Sequence, residues 1–276
     1  MKRIQLLAFA LVLSTFVMAQ NPNFHIYLCF GQSNMQGSAP IEAIDTAGVE
    51  RFMSMASTDF LTFNDRKLGK WYKATPPLSQ PWAHLSIADY FGRNMVALQS
   101  EEITIGVVSV AVGGCDIRLF DKDLYLDYVD TYTEKWFTDQ IKYYGGCPYE
   151  RLLHTAKLAQ RDGVIKGIVL HQGETNTGDA EWPNYVKKIY ENLLKDLSLR
   201  AEEVPLLSGE VVHKNQNGTC ASMNEIIDTL PEVIPTAYVI PSDGCEPLED
   251  NIHFNSAGVR ELGKRYAEKM FELQSK

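Results

Sequence analysis

Apolar residues along this chain gather in five short continuous runs: His25 to Phe30, Ile103 to Val112, Gly167 to Leu170, Pro205 to Val212 and Ala237 to Ile240. Runs this short, continuous rather than alternating, predict strands buried on both faces, as a parallel sheet covered by helices requires. Between them lie stretches with helical spacing. The clearest is Glu181 to Leu199, where Val186, Ile189, Tyr190, Leu193, Leu194 and Leu197 share one face and Lys187, Lys188, Glu191 and Lys195 the other. Trp82 to Leu98, Tyr149 to Gln160 and Ser256 to Leu273 have the same character. Strands alternating with helices predict a doubly wound, flavodoxin-like α/β fold of five parallel strands with helices on both faces.

No repeat, low-complexity tract or long polar linker breaks this order, so a single domain over residues 20–276 is expected. Two connections, Ser38 to Gln80 and Asp116 to Pro148, are longer than ordinary and rich in aromatic residues, among them Trp71, Tyr72, Tyr125, Tyr128, Tyr132, Trp136 and Phe137. Long segments inside a compact domain are commonly functional. Aromatic faces stack well on sugar rings, so a substrate-facing role competes here with plain surface covering. Ahead of the domain, Lys2 and Arg3 precede an uncharged apolar stretch from Ile4 to Met18 that ends in small residues before Gln20. That order reads as a secretory signal peptide over residues 1–19, with cleavage near Ala19 and export to the periplasm or the medium. A buried first helix is the alternative. The stretch is shorter than the roughly 20 residues of a membrane-spanning helix, and no cysteine follows the cut to carry a lipid, so no membrane anchor is expected.

The formal charge is −9, from 26 Lys and Arg against 35 Asp and Glu. With no basic run to neutralise phosphates, nucleic acid and anionic membrane are poor partners. Asn217-Gly218-Thr219 has the form of a glycosylation acceptor, which matters only in a eukaryotic host. Five cysteines in an oxidising compartment invite pairing, and Cys115 with Cys147 and Cys220 with Cys245 are the expected disulfides. Cys29 lies inside an apolar run and reads as a buried small hydrophobe. None has the C-x-x-C spacing of a zinc or redox site, so neither a metal nor another cofactor is expected.

In an open α/β sheet, ligands bind at the carboxyl ends of the strands. Four polar clusters fall there: Ser33 after the first run, Gly113-Gly114 after the second, Gln172-Gly173-Glu174 after the third, and Asp250 with His253 before the last helix. Each has a plain alternative. Ser33 could cap a turn, the glycines could simply provide positive φ, and a single histidine is often structural. Yet a serine hydroxyl needs an imidazole to take its proton, and the imidazole needs a carboxylate to fix its tautomer. Of six histidines, only His253 has an aspartate one turn away. A glycine N–H and the Gln172 amide could then hold the developing oxyanion.

Gly31-Gln32-Ser33-Asn34-Met35, Ala111-Val112-Gly113-Gly114, His171-Gln172-Gly173-Glu174 and Asp250-Asn251-Ile252-His253-Phe254, in that order, resemble the carbohydrate acetylesterases of the SGNH hydrolase superfamily. The likeness is to the group that includes acetylxylan esterases and sialate 9-O-acetylesterases, and it spans nearly the whole mature chain. It implies Ser33 as nucleophile and His253 as base, with oxyanion donors from the Ser33 N–H, the Gly114 N–H and the Gln172 amide. It leaves the acid open between Asp250 and Glu174. His171 departs from the aromatic position of relatives. The expected substrate is an acetylated oligo- or polysaccharide of the acetylxylan type; a sialate 9-O-acetylesterase is the runner-up. A lipase-like reading lacks an apolar lid, and a non-catalytic glycan-binding module should have lost a reactive residue. The sugar and the oligomeric state are not legible.

Overall fold

The computed structural model describes residues 20–60 and 65–275, so the expected signal peptide lies outside the described residues. Seven strands form one sheet: β1 (Asn21–Gly31), β2 (Phe52–Met55), β3 (Trp71–Lys73), β4 (Thr104–Ala111), β5 (Gly163–His171), β6 (Leu206–Gly209) and β7 (Ala237–Ile240). Their order is β3-β2-β4-β1-β5-β6-β7, parallel throughout except for the antiparallel β2–β3 pair at one edge. The expectation of five strands therefore needs correction. The five expected ones are present as β4-β1-β5-β6-β7, the flavodoxin order 2-1-3-4-5 when counted among themselves. The two additions, β2 and β3, sit in the long Ser38 to Gln80 stretch. Four and three residues long, they are too short to show a period, and the β2 sequence Phe52-Met53-Ser54-Met55 has little of the β-branched enrichment that marks a strand.

Alternation along β1 divides the core. Ile26, Leu28 and Phe30 face one apolar layer with Val108, Val110, Ile168 and Leu170, while Tyr27 and Cys29 face the other with Ile105, Val107 and Val169. Helices Lys135–Tyr143, Pro148–Ala159 and Trp182–Leu197 cover the first face through residues such as Phe137, Leu152, Val186 and Ile189. Helices Ile87–Leu98 and Ser256–Gln274 cover the second through Phe91, Met95, Leu262 and Tyr266. Local chemistry fixes where these helices begin. Ser86 and Asp89 form a capping box, Asn255 accepts from the Gly258 N–H at 2.8 Å, and Pro148 and Pro183 stand in first turns where a missing N–H costs nothing.

All five cysteines are free, which corrects both expected disulfides. Their apolar surroundings explain it. Cys115 packs in the first layer just after β4, with its thiol toward the Gly31 carbonyl, and Cys147 precedes the Pro148–Ala159 helix in the same layer. Cys245 is buried in the second layer and Cys220 packs at the margin of the first, so sheet and helices separate their surroundings. The aromatic-rich stretches also divide. Trp71 packs on Phe24 of β1 and donates to Asp162, just before β5, at the amino half of the sheet. Phe137 and Tyr128 are core, whereas Trp136 is exposed.

Leu28, fully buried, pairs across the sheet with Val108 and Ile168. Leu28→Ala is expected to destabilise the fold by about 2–5 kcal/mol, read as a shift of the urea midpoint at unchanged m-value. A shift within error would contradict the central place given to this strand.

Candidate active site

The carboxyl ends of β1 and β5 approach so closely that a Cβ on Gly31 would lie 2.0 Å from the His171 carbonyl oxygen, and Gly31 has φ +149°. Only glycine allows this approach. The chain turns there into a single-turn helix, Ser33–Gln36, which lifts the Ser33 hydroxyl above the sheet edge. His253 Nε2 lies 2.8 Å from Ser33 Oγ, positioned to accept its proton. On the far side of the ring, His253 Nδ1 donates to Asp250 Oδ2 at 2.6 Å. Asp250 Oδ1 meanwhile accepts from the Ile252 and His253 N–H groups, each at 2.9 Å, closing the turn that carries the imidazole. Burial would raise the Asp250 carboxyl, but these hydrogen bonds from His253 and Ile252 outweigh it and hold the group below the usual carboxylate range.

Asn34, beside the serine, grips this loop. Its Nδ2 donates to Glu174 Oε1 at 2.6 Å and to the Ile252 carbonyl at 3.2 Å, and its Oδ1 accepts from the Phe254 N–H at 3.1 Å. The histidine is thereby held by its two chain neighbours. Of the two acids left open by the sequence, Asp250 bonds the imidazole and Glu174 bonds Asn34. Burial raises the Glu174 carboxyl, and its Oε2 has no hydrogen-bond partner among the described residues. His171 Nε2 stands 3.9 Å from Glu174 Oε1 but is no ion-pair partner, because complete burial pushes that imidazole down to about 3 and leaves it neutral.

The expected oxyanion donors separate. Among the described residues, the Ser33 and Gly114 N–H groups make no hydrogen bond and both residues line the cavity. Gly114 needs its φ of +73°, and a Cβ there would meet Trp136 at 3.2 Å. Gln172 departs from expectation. Fully buried, it directs its Nε2 to Gln32 Oε1, Cys115 O and Asn176 Oδ1, and its Oε1 accepts from Trp182 Nε1. A buried amide must be satisfied, and these partners occupy it as a brace beneath the site. The Gly113 N–H is likewise spent, on Gln140 Oε1 at 3.1 Å.

The cavity around Ser33, His253 and Gly114 has a volume of about 460 Å³, with Trp136 at its mouth and Gln36 and Gln140 in its wall. Gln36 Nε2 donates to Gln80 Oε1 and Gln140 Oε1. Sequence reasoning missed this glutamine cluster and the Asn34 grip. The available signal was Gln140 itself, a polar residue on the buried stripe of its helix beside Phe137 and Ile141. A larger cleft of about 830 Å³ opens at the opposite, amino ends of the strands, by Lys166, Ser198 and Gln274, and holds no such grouping.

A family model described as carbohydrate esterase, sialic acid-specific acetylesterase, matches residues 23–272. Among solved structures, a protein from Arabidopsis thaliana superposes with TM-score 0.69 at 19% identity, covering 91% of this chain and 99% of its own. NanS gives 0.66 at 15% identity, covering 93% and 99%. A carbohydrate acetylesterase from Xanthomonas citri gives 0.59 at 17% identity, covering 88% of this chain and 55% of its own. At these identities the structural likeness carries the fold.

Two outcomes follow from the geometry. Asn34→Ala strands a buried Glu174 oxygen and frees the backbone on both sides of His253, so a loss of about 1–3 kcal/mol is expected by urea unfolding. The ring resonances of His253 should shift with it; neither changing would show the grip to be idle. The second outcome concerns pH. The folded Asp250 carboxyl titrates below its ordinary value near 3.8, so it favours the folded state above that pH and this contribution disappears as pH falls through the folded value. The stability gap between the wild type and Asp250→Asn should therefore be widest above pH ~5 and narrow below pH ~4. A gap that is flat or grows toward acid would contradict the assignment.

Proposed function

The chain belongs to the carbohydrate esterases of the sialic acid-specific acetylesterase family, and from that premise we propose that it removes acetyl groups from glycans through a serine acetyl-enzyme. The observation that carries this reading is the unbroken line Asp250 Oδ2–His253–Ser33 Oγ, with separations of 2.6 and 2.8 Å, beside two unspent backbone donors. Ser33 Oγ attacks the acetyl carbonyl carbon while its proton passes to His253 Nε2. The carbonyl oxygen, now negative, rests on the Ser33 and Gly114 N–H groups. Asp250 stabilises the charged imidazole and does not itself take the proton. The tetrahedral species collapses by breaking the bond to the sugar oxygen, which leaves as a hydroxyl with the proton from His253. Water then repeats the sequence on the acetyl-enzyme, giving acetate and free Ser33. This chemistry calls for no metal or organic cofactor.

Within this scheme Glu174 positions rather than relays: it holds Asn34, and Asn34 holds the His253 loop. Gln172 acts one layer deeper, fixing Gln32 and Asn176 under the catalytic turn. An acetyl group offers little surface to bind, so selectivity rests on the glycan. We place the substrate among acetylated polysaccharides of the acetylxylan type, met outside the cytoplasm after removal of residues 1–19. A sialate 9-O-acetylesterase is the second reading, favoured by the description of the matching family model.

Hydrolysis of 4-nitrophenyl acetate by the wild type tests the reaction class. Acetylated xylan, 9-O-acetylated sialic acid and simple sugar acetates, compared by kcat/KM, then divide the two substrate readings. Ser33→Ala and His253→Ala should each lower kcat by about 10⁴-fold or more, and Asp250→Asn by about 10³–10⁴-fold. A Ser33→Ala protein that works at the wild-type rate would end the proposal.

A further inference from the structure

Next to the catalytic cavity lies a second cleft, of about 520 Å³, which shares Thr175 with it. Thr175 Oγ1 donates to the Gly114 carbonyl, so the dividing wall is also the back of the turn that offers an oxyanion donor. The cleft's walls come from the Asp116 to Pro148 stretch and from the first turns of the Trp182–Leu197 helix, which contributes Tyr185. A chain of aromatic contacts, passing through the buried Phe137, ties the linings of the two spaces together. Trp136, at the mouth of the cavity, contacts Phe137 at 5.6 Å between ring centroids, Phe137 contacts Tyr132 at 4.4 Å, and Tyr132 contacts Tyr128 at 5.0 Å.

The charge in the cleft is also specific. Arg118 is the one basic residue lining it among the described residues, and Asp116 already occupies that guanidinium through Nε at 2.9 Å and Nη2 at 2.7 Å. Such a bidentate pair offsets the guanidinium charge, so the two residues together present no net cation to a ligand carboxylate. Asp127 also lines the cleft and has no cationic partner among the described residues. The remaining polar groups are neutral hydroxyls: those of Thr131 and Thr175 donate to the Tyr128 and Gly114 carbonyls and keep acceptor capacity, and those of Tyr132 and Tyr185 stand beside them. Aromatic faces suit the C–H face of a pyranose ring, and hydroxyls at the rim suit its edge. A surplus carboxylate repels an anionic sugar, since like charges placed together select against a partner.

We infer that this cleft is a subsite for neutral sugar rings of the glycan chain bearing the acetyl group, and that it disfavours sialylated chains. The inference rests on the glycan-esterase reading of the adjacent cavity and narrows its substrate class. It makes Tyr185 and Tyr132 specificity-determining residues and Asp127 the residue that excludes acidic glycans. Chain length should then matter more than the identity of the ester, because the acetylated ring occupies the cavity while its neighbours lie in the cleft against Tyr132 and Tyr185.

Binding of unacetylated oligosaccharides to the full protein tests this without hydrolysis. In NMR or calorimetric titrations, xylotetraose is expected to bind with a Kd about tenfold or more below that of 3′-sialyllactose. Tyr185→Ala should weaken xylotetraose binding about tenfold, as truncation of an aromatic anchor does. Thr131→Trp, which fills the cleft from an exposed position, should abolish binding even if Tyr185→Ala proves unstable. Asp127→Asn should narrow the discrimination against 3′-sialyllactose. Equal or tighter binding of 3′-sialyllactose, no measurable xylotetraose binding, or full binding by Thr131→Trp would overturn the inference. Since no ester is cleaved, such results leave the acetylesterase reading standing, while an active Ser33→Ala protein would remove that reading and not the cleft.

Discussion

The site depends on the approach of two strand ends. Gly31 closes β1 and His171 closes β5, and their backbones come so near that no side chain fits between them at Gly31. This contact sets where the chain leaves the sheet to form the Ser33–Gln36 turn. It also brings the Gln172 to Glu174 segment beneath that turn, where Gln32 Oε1 accepts from the Gln172 amide and from the Gly173 and Thr175 N–H groups. A β-branched or even methyl side chain at position 31 would push the two ends apart, and the serine with them. Ser33 is thus placed by backbone sterics at a sheet edge, where His253 and the Asn34 contacts meet it.

Around that point the polar groups fall into two sets with different physics. One set is engaged: Gln172, Asn34 and Asn176 each meet several partners in buried surroundings, where an unmade hydrogen bond costs about 1–3 kcal/mol. These interactions rigidify. The other set retains capacity: the Ser33 and Gly114 N–H groups have no partner among the described residues, and both residues line the cavity. Rigid surroundings and unspent donors are the combination that electrostatic stabilisation of an oxyanion requires, because donors already oriented need not reorganise as charge develops. Gln172 shows how the two sets can be confused. Its residue type and position suit an oxyanion donor, but the atoms it touches make it a strut.

The Asp116 to Pro148 stretch has two roles in one segment. Phe137 and Tyr128 are buried and anchor it to the sheet, whereas Trp136, Tyr132 and Asp127 look outward along the cavity and the neighbouring cleft. Aromatic side chains fixed at their base in this way leave few side-chain torsions to be frozen by any contact they make. The corresponding stretch on the other flank, Ser38 to Gln80, instead extends the sheet through β2 and β3. Aromatic content alone did not distinguish these fates; Trp71 and Tyr72 went to an edge strand, and Trp136 to the cavity mouth.

The sequence by itself determined the five principal strands, the long helices and the position of Ser33, Gly114, Asp250 and His253 at strand ends, because a period of hydrophobicity and a break after it are local properties. The Asp250–His253 pair was legible for the same reason: the two lie three positions apart within one turn. Strands β2 and β3 were not, being too short for any period to register and stabilised by neighbours distant in sequence. The tertiary structure alone decided which carboxylate meets the imidazole, that Gln172 is spent, that Asn34 grips the histidine loop and that the cysteines stay apart. Each of these is a choice among hydrogen-bond or packing partners up to about two hundred residues away, settled by the requirement that buried polar groups find partners once the sheet has closed around them.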